Sequence, residues 1–247
     1  MTDVVQVEAS EQAITIAFNR PEKRNAFSPE MAELTRVALM EHEDTKLPIV
    51  FKSSTPGMFI SGADVAALKQ RTVDETLRRN NARLFQAIED HPWPTIAAVD
   101  GYALGGGCEL ALACDFRLST DGAKWGFPEV TLGILPSAGG LTRLPKLVGW
   151  GIAAEMLMTG RRIGADEAHR IGLVNRLAED DDLDAAIEAF LKDLGRGSIE
   201  AVRLIKEAMR VDGDSNRLVD AAAQALCIAS DEAQARMSAL VERQRGS

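Results

Sequence analysis

The stretch richest in chemistry is Gly101-Tyr102-Ala103-Leu104-Gly105-Gly106-Gly107-Cys108-Glu109-Leu110, which follows the apolar run Thr95 to Val99 and enters a helix-like segment. Three consecutive glycines at a helix start let the backbone approach a ligand and aim main-chain N–H groups at it. A dinucleotide fingerprint G-x-G-x-x-G begun at Gly105 would end on Leu110, and there is no Gly-Lys-Ser/Thr phosphate loop. The serine-hydrolase elbow G-x-S-x-G fails at Ser61, two residues after Phe59, and at Ser137, two residues after Leu135. What is left is an anion hole for a carbonyl oxygen that gains charge during a reaction. A second turn of small residues, Phe59-Ile60-Ser61-Gly62-Ala63-Asp64, also follows an apolar strand and precedes an apolar helical run. In a layered fold two such turns can face one cleft.

An anion hole needs acid–base partners. His42 and His169 sit among charges and His91 lies in a proline-rich turn, so a Ser-His or Cys-His device is not expected. No His/Cys cluster has metal-ligand spacing. Carboxylates must do the work, and two are out of place. Glu109 interrupts Cys108, Leu110, Ala111 and Leu112; Glu129 sits in Trp125-Gly126-Phe127-Pro128-Glu129-Val130. A carboxylate among core residues is costly unless it is paired or used. Taken singly, a helix-end charge would explain Glu109 and a salt bridge would explain Glu129.

The elements that position these groups alternate. Val5 and Val7, then Ile14, Ile16 and Phe18, recur at period two around Ser10-Glu11-Gln12, a hairpin pattern. Ser28-Pro29 opens a helix with the stripe Met31, Leu34 and Val37-Ala38. Residues 47–51 and 95–99 read as buried strands and 115–119 as one more. Leu77, Leu84-Phe85 and Ile88 read as one helix face, and Cys108 to Cys114 as a short helix. Arg71, Arg78, Arg79 and Arg83 read as a solvated face. From 149–159 onward helix dominates: Ile187, Phe190, Leu191 and Leu194 recur at helical spacing, and Ser198, Ser215 and Ser230 are candidate N-caps. The organisation expected is a strand-strand-helix region over residues 1–180 and a helical region over 181–247.

Composition bounds the rest. The chain has 247 residues, 46% of them hydrophobic and 26% charged, enough for a large core without staples. A net charge of -9 lacks the basic footprint nucleic acid requires. The N-terminus lacks a basic-then-apolar leader, and the longest apolar stretch is broken by Asp100, Glu109 and glycines, so no membrane association is expected. Cys108, Cys114 and Cys227 are too few for a disulfide framework and read as buried thiols in a reducing compartment, with the cytoplasm as the expected location.

Together these motifs resemble the crotonase family, also called the enoyl-CoA hydratase/isomerase family. The resemblance rests on Pro94 through Leu110, on Trp125 through Gly133, on Leu135-Pro136-Ser137-Ala138-Gly139-Gly140, on Asn19-Arg20-Pro21 with Asn25-Ala26, and on Ser61-Gly62-Ala63-Asp64. It spans about residues 4–180 and is looser in the tail. Ser137 stands where the family commonly has glycine, and the ending Val241-Glu242-Arg243-Gln244-Arg245 lacks the family's frequent phenylalanine-bearing basic end. The resemblance implies an α/β fold, a crotonase-like spiral of ββα units with a C-terminal helical oligomerisation region. It implies a homo-oligomer, a trimer or dimer of trimers, and an acyl-CoA thioester substrate, with no cofactor beyond the CoA that arrives with it. By position, the family's oxyanion-hole donors fall on the N–H groups of Ala63 and Gly106 and its two hydratase glutamates on Glu109 and Glu129. Its CoA-binding segment falls on Lys23, Arg24, Asn25 and Ala26 and on Ala63, Asp64 and Val65.

The expected reaction adds water across the double bond of a 2-enoyl-CoA. A helix N-terminus favours the carboxylate form of Glu109, which suits a base that activates water. An apolar setting raises the pKa of Glu129, which suits delivery of a proton to the α-carbon. The sequence leaves open the reverse assignment, or one water shared by both acids. It also leaves two other functions: double-bond isomerisation, and acyl-CoA binding without turnover.

Overall fold

Alternation decides the first elements. In β2 (Ile14–Phe18) the residues Ile14, Ile16 and Phe18 share one face and are all buried. The expected hairpin forms with β1 (Val5–Ala9), antiparallel, with Val5 opposite Phe18. The computed structural model that shows this describes residues 4–178, 182–210 and 216–245. Ser28 caps α1 (Pro29–Glu41) by accepting from the Met31 N–H. β3 occupies Ile49–Ser53, two residues later than the pattern predicts. Pro48 has no N–H to give to a ladder; its carbonyl accepts from Ile14 and the strand begins beyond it.

The next segment corrects one expectation. Leu77 does not share a face with Leu84, Phe85 and Ile88. The chain forms α2 (Val65–Gln70), α3 (Val73–Leu77) and α4 (Asn80–Asp90), broken where Arg79 takes a left-handed φ of 52°. Leu77 is left exposed while the other three are buried.

There follow β4 (Thr95–Val99), β5 (Tyr102–Leu104), α5 (Gly106–Ala113), β6 (Phe116–Thr120), β7 (Lys124–Gly126) and a 3-10 turn at Pro128–Leu132. Then come α6 (Gly140–Val148), α7 (Trp150–Thr159), β8 (Arg162–Gly164), α8 (Ala165–Arg170) and β9 (Arg176–Ala178). The tail is helical: α9 (Leu183–Leu194), α10 (Ile199–Met209), α11 (Asn216–Ala229) and α12 (Asp231–Arg245). Ser198 and Ser230 cap as expected, donated to by Ala201 and Ala233. Ser215 and the boundary expected at 180/181 lie outside the described residues.

Two sheets result. The larger runs β1-β2-β3-β4-β6-β9, parallel throughout except for β1; the smaller runs β5-β7-β8. Isolated parallel bridges Phe27–Ala63 and Ile60–Ala103 continue the smaller layer toward the N-terminus. Each turn of chain thus supplies a strand to the large sheet, a short strand or bridge to the small layer, and then helix. This is the repeated ββα pattern. The main core lies between large sheet and helices; a second cluster on the sheet's other face joins Val50, Ile96, Ala98 and Leu118 to Ile187 and Phe190 of α9. Covering on both faces explains why every residue of β4 is buried. Cys108 and Cys114 are buried free thiols as expected; Cys227 is only half-buried.

Candidate active site

The two glycine turns are brought together by the small layer. The Ile60 N–H donates to Tyr102 O at 2.9 Å and the Leu104 N–H to Ile60 O at 3.1 Å. The glycine triplet divides its labour. Gly105, at φ 50°, makes the turn into α5, and a Cβ there would sit 2.6 Å from Glu129 Oε1. A Cβ on Gly106 would meet nothing within 4 Å, so its side faces open space. Gly107 serves packing, contrary to a purely ligand-directed triplet: a Cβ there would lie 2.4 Å from Ile60 O. Among the described residues, neither the Ala63 nor the Gly106 N–H has an acceptor within the chain. The first amides of a helix have no partner of their own, which leaves the Gly106 N–H available to a ligand.

Glu109 lies one turn into α5 and is buried. Its Oε1 accepts from the Ala138 N–H at 2.7 Å and the Gly140 N–H at 2.9 Å. Burial pushes its pKa up, against these two amides and the Arg143 guanidinium, which pull it down. The net direction is upward: burial outweighs the helix-end stabilisation expected from sequence. Glu129, in the 3-10 turn after β7, has no ion pair among the described residues, so the salt-bridge explanation falls. Its Oε2 is buried and unbonded. Burial, with a smaller push from Glu109, raises its pKa to about 7; its own backbone amide opposes. The two carboxyls therefore sense each other, one held in an amide cradle and the other laid bare against Gly105.

The segment expected to hold CoA is assembled beside the Ala63 turn. Lys23 and Arg24 are exposed, and Ser61 N–H to Arg24 O (3.2 Å) and Phe27 N–H to Gly62 O (2.8 Å) tie the segment down. Asn25 departs from expectation. It is fully buried, its Nδ2 donating to Ser53 Oγ at 2.8 Å and Phe59 O at 3.0 Å while its Oδ1 accepts from Arg20 N–H at 2.7 Å. The side chain fastens the segment to the Ala63 turn and has no atom left for a ligand. Ala26 is buried too, Asp64 caps α2 by accepting from Ala67 N–H and pairs with Arg20 at 3.9 Å, and Val65 is exposed.

His91 is buried with its pKa driven down to about 4, first by burial and then by nearby Lys206, and His169 lies exposed; neither belongs to this site. No group of His, Cys, Asp and Glu among the described residues is placed to hold a metal. The sequence reading missed two buried or half-buried arginines, Arg117 and Arg143. For Arg117 a signal existed, a charge inside the apolar strand 115–119.

Known proteins resemble the chain over nearly its whole length. The family described as enoyl-CoA hydratase/isomerase matches residues 8–245. A crotonyl-CoA hydratase of Syntrophomonas wolfei is 36% identical over 98% of this chain and 96% of its own length. A short-chain-enoyl-CoA hydratase of Clostridium acetobutylicum is 32% identical, covering 98% and 95%. The crystal structure of an enoyl-CoA hydratase from Bacillus anthracis superposes with a TM-score of 0.92 at 30% identity, over 97% of this chain and 96% of that one.

Proposed function

The chain belongs to the enoyl-CoA hydratase/isomerase family, and on that premise we propose that it acts as an enoyl-CoA hydratase, a hydro-lyase. The substrate is a 2-enoyl-CoA thioester. Its carbonyl oxygen sits between the Ala63 and Gly106 N–H groups, which hold it as it gains enolate charge and need no reorganisation to do so. Glu109, its carboxylate oriented by two amides, takes a proton from water, whose oxygen bonds to the β-carbon. Glu129 gives its proton to the α-carbon, and the proton taken up by Glu109 passes through solvent to Glu129 as the cycle closes, which restores both groups. The atoms of one water are thereby added and no electrons change hands, so the reaction calls for no cofactor beyond the substrate's own CoA. Lys23 and Arg24 supply charge to the CoA phosphates, alongside the main chain of Asn25, Ala26, Ala63, Asp64 and Val65.

The observation that carries this reading is the pair of carboxyls in unlike surroundings, Glu129 unbonded at Oε2 against Gly105 and Glu109 held by the Ala138 and Gly140 amides. The test is hydration of crotonyl-CoA, followed by loss of the conjugated chromophore. Glu109→Gln and Glu129→Gln should each lower kcat by about 10²–10⁴-fold, the usual worth of a general acid or base, with KM little changed. Wild-type rates in both variants remove the mechanism.

We further propose a homo-oligomer, a trimer or dimer of trimers, working in the cytoplasm. Trp150, Met158 and Met209 are 75%, 69% and 79% exposed, an amount of bare apolar surface that favours covering by another copy. The free thiols suit a reducing compartment. Among the described residues no helix is long and apolar enough to cross a membrane.

A further inference from the structure

One charge beside the site has no role in the steps above. Arg143 lies in the first turn of α6 and is mostly buried, its side chain 11% exposed. Its Nη1 donates to Ala138 O at 3.0 Å, while Nε, at 3.0 Å, and Nη2 both donate to Glu89 Oε2 on α4. Ala138 is the residue whose N–H holds Glu109 at 2.7 Å. Both main-chain groups of Ala138 are therefore gripped, one by the guanidinium and one by the carboxylate. The loop is shaped around this cation: at Gly139, with φ 120°, a Cβ would lie 1.7 Å from Arg143 Nη1.

We propose that Arg143, braced by Glu89, is a positioning residue for the reaction, fixing the Ala138–Gly140 amides that hold Glu109 and presenting its charge to that carboxylate. The inference rests on the reading of Glu109 as the base. The fork geometry matters: a guanidinium reaches a carbonyl and a carboxylate at once, where an ammonium offers only a point charge. The charge matters as well. Glu89 is 36% exposed and solvent screens it, so it does not cancel the field of the more deeply buried Arg143 at Glu109. The other charged groups around Glu109 are few. Glu129 stands in the 3-10 turn, and it is Glu109 that raises the pKa of Glu129; the buried Cys108 thiol precedes Glu109 on α5; β4 and β5 bring no charged side chain; Arg117 of β6 lies at the far end of α5.

The test compares Arg143→Met, Arg143→Lys and Glu89→Gln on crotonyl-CoA, each alone and the first also combined with Glu109→Gln. Arg143→Met should lower kcat by about 10–100-fold, the scale of a sub-ångström to ångström misplacement, with KM within about threefold. The acid limb of its kcat/KM profile should move to higher pH, because Glu109 loses the cation that favours its ionised form. Arg143→Lys should restore the limb but only part of kcat. Glu89→Gln should lower kcat less than Arg143→Met and leave the limb at or below its wild-type pH. In the Glu109→Gln background Arg143→Met should cost little more, since it acts through the group already removed. An inactive Glu109→Gln beside an Arg143→Met with wild-type kcat and pH profile overturns this inference alone. Full multiplication of the two losses also overturns it, by showing a merely structural role. A wild-type rate in Glu109→Gln overturns the reading of the base and the inference with it.

Discussion

Glu129 is a carboxyl that the fold tolerates at a cost. Its Oε2 is buried without a hydrogen bond, and its pKa stands at about 7, above the ordinary 4.5. A raised carboxyl pKa means the folded state holds the proton more tightly than the unfolded chain does. Stability is therefore undiminished below about pH 4.5, falls as pH rises toward 7, and stays reduced above it. The residue is half-exposed, so after solvent screening the cost above pH 7 is about 1–2 kcal/mol. Glu129→Gln should accordingly unfold at a higher temperature than wild type at pH 8, with the gap closing toward pH 4.5. Hydration by the wild-type protein should decline above about pH 7 as the proton is lost. Melting curves that stay superimposed at both pH values would show that the carboxyl carries no such burden. Both glutamates were legible in the sequence because a charge inside an apolar run stands out. Arg143 was not legible: an arginine among helical residues reads like Arg71, Arg78, Arg79 and Arg83, which are indeed exposed. Only the fold brings Glu89 and the Ala138 carbonyl to it. Asn25 was visible as a motif residue, but its work is internal, because two consecutive left-handed residues, Arg24 and Asn25, turn its side chain into the core.

At the scale of elements, α5 decides the site, since it carries the Gly106 N–H at one end and Glu109 a turn later. Its far end is held by Arg117, 3% exposed, which donates to Cys114 O at 2.7 Å, Ala111 O at 3.3 Å and Leu173 O at 2.6 Å. A cation here satisfies the last carbonyls of a helix and suits the negative end of its dipole. Arg117→Met keeps the volume of the stem but takes the donor from the Cys114 and Leu173 carbonyls, at about 1–3 kcal/mol for each group stranded, while Ala111 O keeps the Cys114 N–H. The variant should lose about 3 kcal/mol or more in urea denaturation. A loss under ~1 kcal/mol would mean that water takes over the caps. The elements were unevenly legible. β2 is visible because its buried residues alternate, and α1 because its apolar stripe follows a Ser28 cap and Pro29. β5, β7 and β8, three residues each, are too short to show a period, and the bridges at Phe27 and Ile60 are single pairs set by the neighbouring turn. Leu77 looked like part of α4 because its spacing to Leu84 is helical, and nothing in the residue types announces the left-handed Arg79 between them.

For the molecule as a whole, the spiral joins the Ala63 turn and the glycine turn through the small layer and leaves the 3-10 turn, α6 and α7 to close the fold beyond Glu129. That corner is apolar where it meets solvent: Val130, Leu135, Leu141, Trp150 and Met158 border a hollow of about 430 Å³. Such a surface is where a second copy would gain most from burial, at about 25 cal/mol for each Å² covered. The tail helices add exposed Ile205, Met209 and Leu226, so subunit contacts need not be confined to the tail that the sequence singles out. Trp150 is the largest exposed side chain of the corner. Placing a charge there sets the desolvation of a carboxylate against the burial of an indole, and the first exceeds the second unless a cation waits opposite. Trp150→Glu should therefore sediment as a smaller species than wild type at micromolar concentration while keeping its helical circular dichroism. Hydration should fall with it, because Val130 borders the same hollow and adjoins Glu129, so loosening the corner disturbs the turn that aims the proton donor. If Trp150→Glu instead sediments like wild type and turns over crotonyl-CoA at the same rate, the oligomer is built on other surfaces and this corner is free of them.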